Sequence, residues 1–211
     1  MSLIYEAELV PTKSDVIAAW LPSQEWFNGD ASKLEIITGY RFDDPEGEVG
    51  IQGQLVTADD GTLYHVPLTY RGAPLKGAEN HLMGTMQHSV LGKRWVYDAI
   101  GDPVFQTVLA NVIAKGGSQA EEFTAQPDGT TVPRAVQSYV NGSGSTENST
   151  PSLEAAKVST DDGVSSAKDR KVTLSILRRI DSRTTFTGEV ETLQGTWDGQ
   201  EEPVVLATLQ S

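Results

Sequence analysis

Alternation with a period of two dominates the first half of the chain. Leu34, Ile36, Thr38, Tyr40 and Phe42 fall on every second position, as do Val49, Ile51, Gly53 and Leu55. Over 62–70, Leu63, His65 and Pro67 alternate against Tyr64, Val66, Leu68 and Tyr70. Such patterns mark strands whose two faces meet different surroundings. Turn-forming residues 43–47 and 58–61 separate the three runs, so they predict an antiparallel meander. An antiparallel sheet can leave one face to solvent, and the alternation predicts that here. Pro67 has no N–H for a ladder, so it predicts an edge strand or a break. A further strand is expected over Val90–Tyr97, interrupted at Gly92 and paired with 62–70, with a polar loop between the two. A short strand is expected at Ile4–Val10.

Two stretches change to helical spacing. Val16, Ile17, Trp20 and Leu21 follow Thr12 and Asp15, which resemble a capping box, and Pro22 ends the run. Val104, Val108, Leu109, Val112 and Ile113 follow Asp102 as N-cap and Pro103 at the first helical position, with Gly116 closing the helix. Both helices are expected to cover the apolar face of the sheet. Beyond Gly117 the pattern becomes shorter and more polar. A hairpin is expected from 121–126 and 130–140 about 127–129. Residues 141–169 are rich in Gly, Ser, Thr and Asp, and predict a mobile loop with at most a weak strand at 154–160. Strands are expected at 171–180, 184–193 and 204–209, with a turn-rich link over 195–203. The fold class expected is α+β, an antiparallel sheet with two short helices and a β-rich C-terminal extension. The division expected is a first unit over 1–117 and an extension over 118–211.

Composition narrows the chemistry. The 211 residues include no cysteine, which excludes disulfides, thiol nucleophiles and thiolate metal sites. The formal net charge of −13 repels phosphate backbones and anionic membrane surfaces, so neither nucleic acid nor membrane is an expected partner. No apolar run is long enough to span a bilayer, and the start MSLIYEAEL lacks the pattern of a signal peptide. A cytoplasmic location is expected, with the sequons at Asn141 and Asn148 as chance matches.

Three segments in order carry a resemblance. Trp20–Phe27 reads WLPSQEWF, Tyr64–Leu68 reads YHVPL, and Val96–Ala99 reads VYDA before Asp102 and Pro103. Together they resemble the N-terminal cap domain of bacterial maltokinases, over roughly residues 10–115. The nearest likeness is to stand-alone cap-like proteins without a kinase domain, some of them labelled as glucan-branching proteins. The resemblance implies a curved, cystatin-like antiparallel sheet with a helix. In maltokinases this cap sits on the kinase N-lobe and is associated with regulation or substrate control, while catalysis belongs to the kinase lobes. No Gly-rich phosphate loop and no His-x-Asp catalytic loop stands in this sequence. Asp30 departs from the family, where a basic residue is commoner after the Trp-Phe turn. Residues 118–211 have no counterpart in the kinase.

The candidate chemistry is sparse. His65, His81 and His88, with Glu79 nearby, show no metal-ligand spacing, so neither a metal nor any other cofactor is expected. Ser23 and Ser89 lack a nucleophile-elbow context. Glu46, Glu48, Asp59 and Asp60 sit in turns, where acidic residues belong in any case. No catalytic residue is identified. Tyr70, Arg71, His88, Arg94, Trp95 and Tyr97 would cluster if strands 62–70 and 90–97 pair, forming an aromatic platform with polar arms for a saccharide or a partner loop. Alternatively, Trp95 and Tyr97 are core residues, as Trp20 and Trp26 would be. The function expected is a non-catalytic, cap-like interaction or regulatory module linked to α-glucan, trehalose or maltose metabolism, with a protein of that metabolism as partner. The alternatives are a carbohydrate- or small-molecule-binding protein and a glucan-modifying enzyme of unrecognised type.

Overall fold

A computed structural model describes residues 2–4, 7–126, 130–181 and 189–211. The chain opens with β1 (Ser2–Ile4), β2 (Leu9–Val10) and α1 (Lys13–Trp20). The meander follows as β3 (Glu35–Phe42), β4 (Gly50–Thr57) and β5 (Leu63–Arg71), then β6 (Leu82–His88) and β7 (Gly92–Asp98). Next come α2 (Pro103–Lys115), β8 (Glu122–Ala125), β9 (Thr131–Pro133) and β10 (Ser138–Gly142). The last third holds β11 (Lys157–Asp161), β12 (Val164–Asp169), β13 (Val172–Leu177), β14 (Arg179–Ile180), β15 (Glu191–Trp197) and β16 (Gln200–Gln210). The expected hairpin tip at 127–129 and the first part of the strand expected at 184–193 lie outside the described residues.

Local chemistry sets both helices. The Thr12 hydroxyl accepts from the Asp15 amide at 3.2 Å while the Asp15 carboxylate accepts from the Thr12 amide at 2.9 Å, a reciprocal capping box. Asp102 accepts from the Val104 amide at 3.0 Å, and Gly116 closes α2 with φ of 65°.

Strands β2-β6-β7-β5-β4-β3 form a curled antiparallel sheet, with β14 added beside β5. A second antiparallel sheet runs β10-β15-β16-β13-β12-β11, and β1-β8-β9 form a small third one. The two helices cover opposite faces of the curled sheet rather than one. α1 packs Val16 and Ile17, and the turn after it Leu21, on Val66, Leu68, Met86 and Val96. The other face, with Tyr40, Phe42, Ile51 and Leu55, shares a core with α2 and with Leu174, Ile176, Leu193 and Leu206 of the second sheet. No face is left to solvent across the middle strands, because the second sheet supplies a cover that no residue of the meander announces.

Four other expectations change in physical detail. Pro67 lies in a central strand. It is tolerated because β7 pairs with β5 only from Leu68 to Arg71, and β14 takes over at Leu63 and Tyr64, so the flank beside Pro67 is a gap. The loop read at 71–89 contains β6, whose alternation is hidden by a register shift between Leu82 and Gly84. The polar segment 141–169 is largely built in. β11 and β12 form a hairpin around Asp162 and Gly163, and Gly142 and Gly144 lie so close to the end of α2 that an added Cβ would come within 2.1 Å of the Val112 oxygen and 2.0 Å of the Ala114 oxygen. Its glycines therefore allow close backbone approach. Similarly, the link at 195–203 is a tight hairpin turning at Asp198 and Gly199, with Gly199 at φ of 82°.

Arg178 plugs the gap between β7 and β14. It is fully buried, and its guanidinium donates to both Asp98 oxygens at 2.8 and 2.6 Å and, through Nε, to the Ser165 hydroxyl at 2.8 Å. Its carbonyl accepts from the His65 amide at 2.9 Å. The cation lies 5.9 Å from the Trp20 ring centroid and 5.4 Å from that of Trp26. Among the described residues, no helix is long and apolar enough to cross a membrane.

Candidate functional site

The pairing of β5 with β7 divides the six residues singled out above by strand parity. Arg71 stands opposite Trp95, and Thr69 opposite Tyr97, on the face that turns toward the second sheet. Tyr70 stands opposite Val96, and Met86 opposite Arg94, on the face that carries α1. Residues adjacent in sequence thus point to opposite sides.

On the inner side, Arg71 donates two hydrogen bonds of 2.7 Å to the buried Asp102 carboxylate, which at the same time caps α2. The Arg71 guanidinium is held firmly protonated by that bond. Tyr97 is buried, and its hydroxyl accepts from the Leu75 amide at 2.8 Å. Trp95 is half-buried, with the Lys93 ammonium 4.8 Å above its ring. Arg71 and Tyr97 fasten the β5–β7 seam to α2 and to the loop after β5.

On the α1 side, Tyr70, His88 and Arg94 line a cleft of about 750 Å³ together with Lys13, Arg41 and Gln52. Apolar walls come from Leu9, Phe42, Met86 and Leu91, and the rim carries Asp43, Asp44 and Glu48. Asp44 is engaged by the amides of Glu46, Glu48 and Val49 at 3.1, 3.1 and 2.9 Å, which fixes the β3–β4 turn. His88 accepts at Nδ1 from the amides of Val90 and Leu91 at 3.2 and 3.1 Å, so its ring shapes the β6–β7 turn with the proton on Nε2. Burial, followed by the Arg94 charge, lowers its pKa. Arg94 anchors one guanidinium nitrogen on the Leu91 carbonyl.

The floor of the cleft differs in kind. Arg41 Nε, Arg94 Nε and the Tyr70 hydroxyl are enclosed and have no hydrogen-bond partner among the described residues. Burial pushes the Tyr70 phenol up, against the pull of Arg41. Burial, then the Arg41 charge, brings the Lys13 ammonium down to about 8. Arg41 is lowered as well, chiefly by burial. Lys13, Arg41 and Gln52 also border an adjoining cleft of about 370 Å³, where Glu122 faces Arg134 at 3.9 Å.

The sequence alone did not single out Lys13, Arg41 and Gln52, but for Arg41 and Gln52 the signal lay in the strand pattern. Arg41 falls between Tyr40 and Phe42 and Gln52 next to Ile51, each at the off-parity position of a strand with a buried apolar face. The two are cross-strand partners. The three histidines are dispersed: His65 is buried against the Tyr40 hydroxyl at 2.8 Å, His88 is at the cleft, and His81 packs on Gly101. Among the described residues, no group of three or more metal-ligating side chains converges.

The comparisons with known proteins fall on the same part of the chain. Residues 20–102 match the model of the maltokinase N-terminal cap domain, so this stretch is a maltokinase cap-like domain. It runs from Trp20, which stacks near Arg178, to Asp102, which holds Arg71. No curated protein matches the chain.

Proposed function

We propose that this protein is a non-catalytic module that binds and regulates a protein partner in maltose, trehalose or α-glucan metabolism, with residues 1–117 as the cap-like unit and residues 118–211 as an extension that braces it. The observation that supports this reading is the family match across residues 20–102, which links the chain to the metabolism served by maltokinase. The test is capture of partners from lysate of the native cell with tagged protein, read by mass spectrometry against a tag-only control. Enrichment of a maltokinase or another maltose- or trehalose-converting enzyme over that control is the expected result. Absence of every such enzyme from the captured set would sink the proposal.

A second reading, a carbohydrate- or small-molecule-binding protein, is favoured by one observation. The cleft offers enclosed donors without partners on Arg41, Arg94 and Tyr70, beside Gln52 and an acidic rim. Donors and acceptors around an apolar wall suit a polyhydroxylated ligand. Heat of binding with maltose or trehalose in isothermal titration supports it, and its absence with both counts against it.

A further inference from the structure

We infer that the floor of this cleft binds an oxyanion, a phosphate or a carboxylate carried by a small polyhydroxylated ligand, with Lys13, Arg41 and Arg94 as its cations and the Tyr70 hydroxyl as a neutral donor. The inference rests on the small-ligand reading of the same cleft and names what that ligand must carry.

The charge balance of the chain makes the location informative. A protein with 29 acidic and 16 basic side chains has carboxylates available for most of its cations. It uses them elsewhere, since Arg71 has Asp102, Arg178 has Asp98 and Arg179 has Asp162. Among the described residues, Lys13, Arg41 and Arg94 lie in no ion pair, although all three line one cleft. The nearby carboxylates offset these cations only in part. Glu122 raises both Arg41 and Lys13 and Asp43 raises Arg41, but among the described residues neither forms an ion pair with them; Asp44 is tied to three backbone amides, and Glu122 faces Arg134.

Desolvated cations without partners are costly, and enclosed N–H and O–H groups without acceptors add to that cost. Burial lowers both Lys13 and Arg41, the Arg41 charge lowers Lys13 further, and Glu122 and Asp43 offset only part of this, so the arrangement is incompletely compensated as it stands. An oxyanion relieves every element of this at once. It supplies acceptors to Arg41 Nε, Arg94 Nε and the Tyr70 hydroxyl, and countercharge to Lys13. The geometry of the sheet supports a common target. Arg41 pairs across β3–β4 with Gln52, Gly50 stands opposite Tyr70, and Val96 opposite Tyr70 continues two residues back to Arg94, all on one face. Glu48 and Asp43 on the rim then face the part of the ligand that carries hydroxyl groups.

The test is isothermal titration of the full chain with glucose, glucose 6-phosphate, gluconate and inorganic phosphate, joined to an NMR titration of the Lys13 ammonium. Glucose 6-phosphate or gluconate is expected to bind at least ~10-fold more tightly than glucose, as one added charge-assisted contact implies. Which of the two binds separates phosphate from carboxylate. The tighter ligand should raise the Lys13 pKa above about 8 in the unaltered protein, a readout that needs no variant. Arg41→Gln and Arg94→Gln should each remove the preference. Equal binding of glucose and its anionic forms overturns the inference while leaving the saccharide reading in place. Inorganic phosphate binding as tightly as glucose 6-phosphate keeps the anion site and removes the sugar from it. No heat and no Lys13 response with any of the four probes overturns both.

Discussion

Arg178 and Arg41 make an instructive pair. Arg178 is fully buried and Arg41 half-buried beside the same sheet, yet their surroundings are opposite. Arg178 meets a bidentate carboxylate, a hydroxyl and two indole rings, leaving one guanidinium nitrogen, NH1, without a partner. Arg41 meets Lys13 and an enclosed tyrosine hydroxyl, feels the carboxylates of Glu122 and Asp43 without forming an ion pair with either, and its Nε has no acceptor among the described residues. A buried cation with its counterion inside the protein belongs to architecture. A buried cation among other cations, in a cleft, points outward to something that is not part of the chain.

The contrast can be broken most sharply at the seam. Arg178→Ala leaves Asp98 buried without its cation, and breaking such a pair costs about 3–5 kcal/mol. Urea unfolding should register that loss, and a midpoint equal to that of the unaltered protein would remove Arg178 from its structural role. Next in size is a pH effect at the same seam. Burial, reinforced by the Arg178 charge, lowers His65 to about 3. Between the ordinary value near 6.5 and that folded value, the unfolded chain binds a proton that the folded one refuses. Stability therefore falls as pH drops through this window, with a slope from this group of about 1.4 kcal/mol per pH unit. His65→Gln should flatten the acid limb of the stability curve by that slope, and parallel limbs would contradict the assignment.

A smaller effect is expected away from both arginines. Thr12→Ala breaks the capping box of α1, which leads into Lys13, and should cost about 1 kcal/mol in unfolding measurements. The smallest stability effect belongs to the cleft itself. Arg41→Gln removes a desolvated cation that has no ion-pair partner among the described residues, so unfolding stability should stay level or rise slightly. It should also let the Lys13 pKa rise from about 8 toward its ordinary 10.5. With the sign worked through, the folded parent has already released the Lys13 proton above pH 8 while the unfolded chain still holds it. Stability from this group is therefore gained as pH climbs from about 8 to 10.5, and the variant should lose the part of that gain that comes from the Arg41 charge, while the larger part, from burial, remains. A Lys13 titration unchanged by the substitution would end the claim that the two cations act on one another.

The fold was more legible than the site for a definite reason. Strands β3, β4 and β5, both helix caps and the α2 C-cap glycine follow from near-neighbour patterns, which a sequence displays directly. β6 was not legible because its register shift breaks the alternation. The second sheet's role as a cover was not legible because the pairing of residues near 180 with residue 64 leaves no local mark. The six-residue cluster shows the limit most clearly. Pairing of β5 with β7 was foreseen, but treating Tyr70 with Arg71, and Arg94 with Trp95, as one surface ignored the parity of a strand. Applied to 40–42 and 51–52 as well, parity brings Arg41 and Gln52 to the face of Tyr70 and Arg94.

The cap-like match ends at residue 102, whereas the cation that Asp98 faces sits at residue 178. A chain stopped at Gly117 would retain the whole matched stretch and present a buried socket of negative charge, lined by Trp20 and Trp26, with no plug. Any other body joined to this cap at that seam would have to bring a cation of its own.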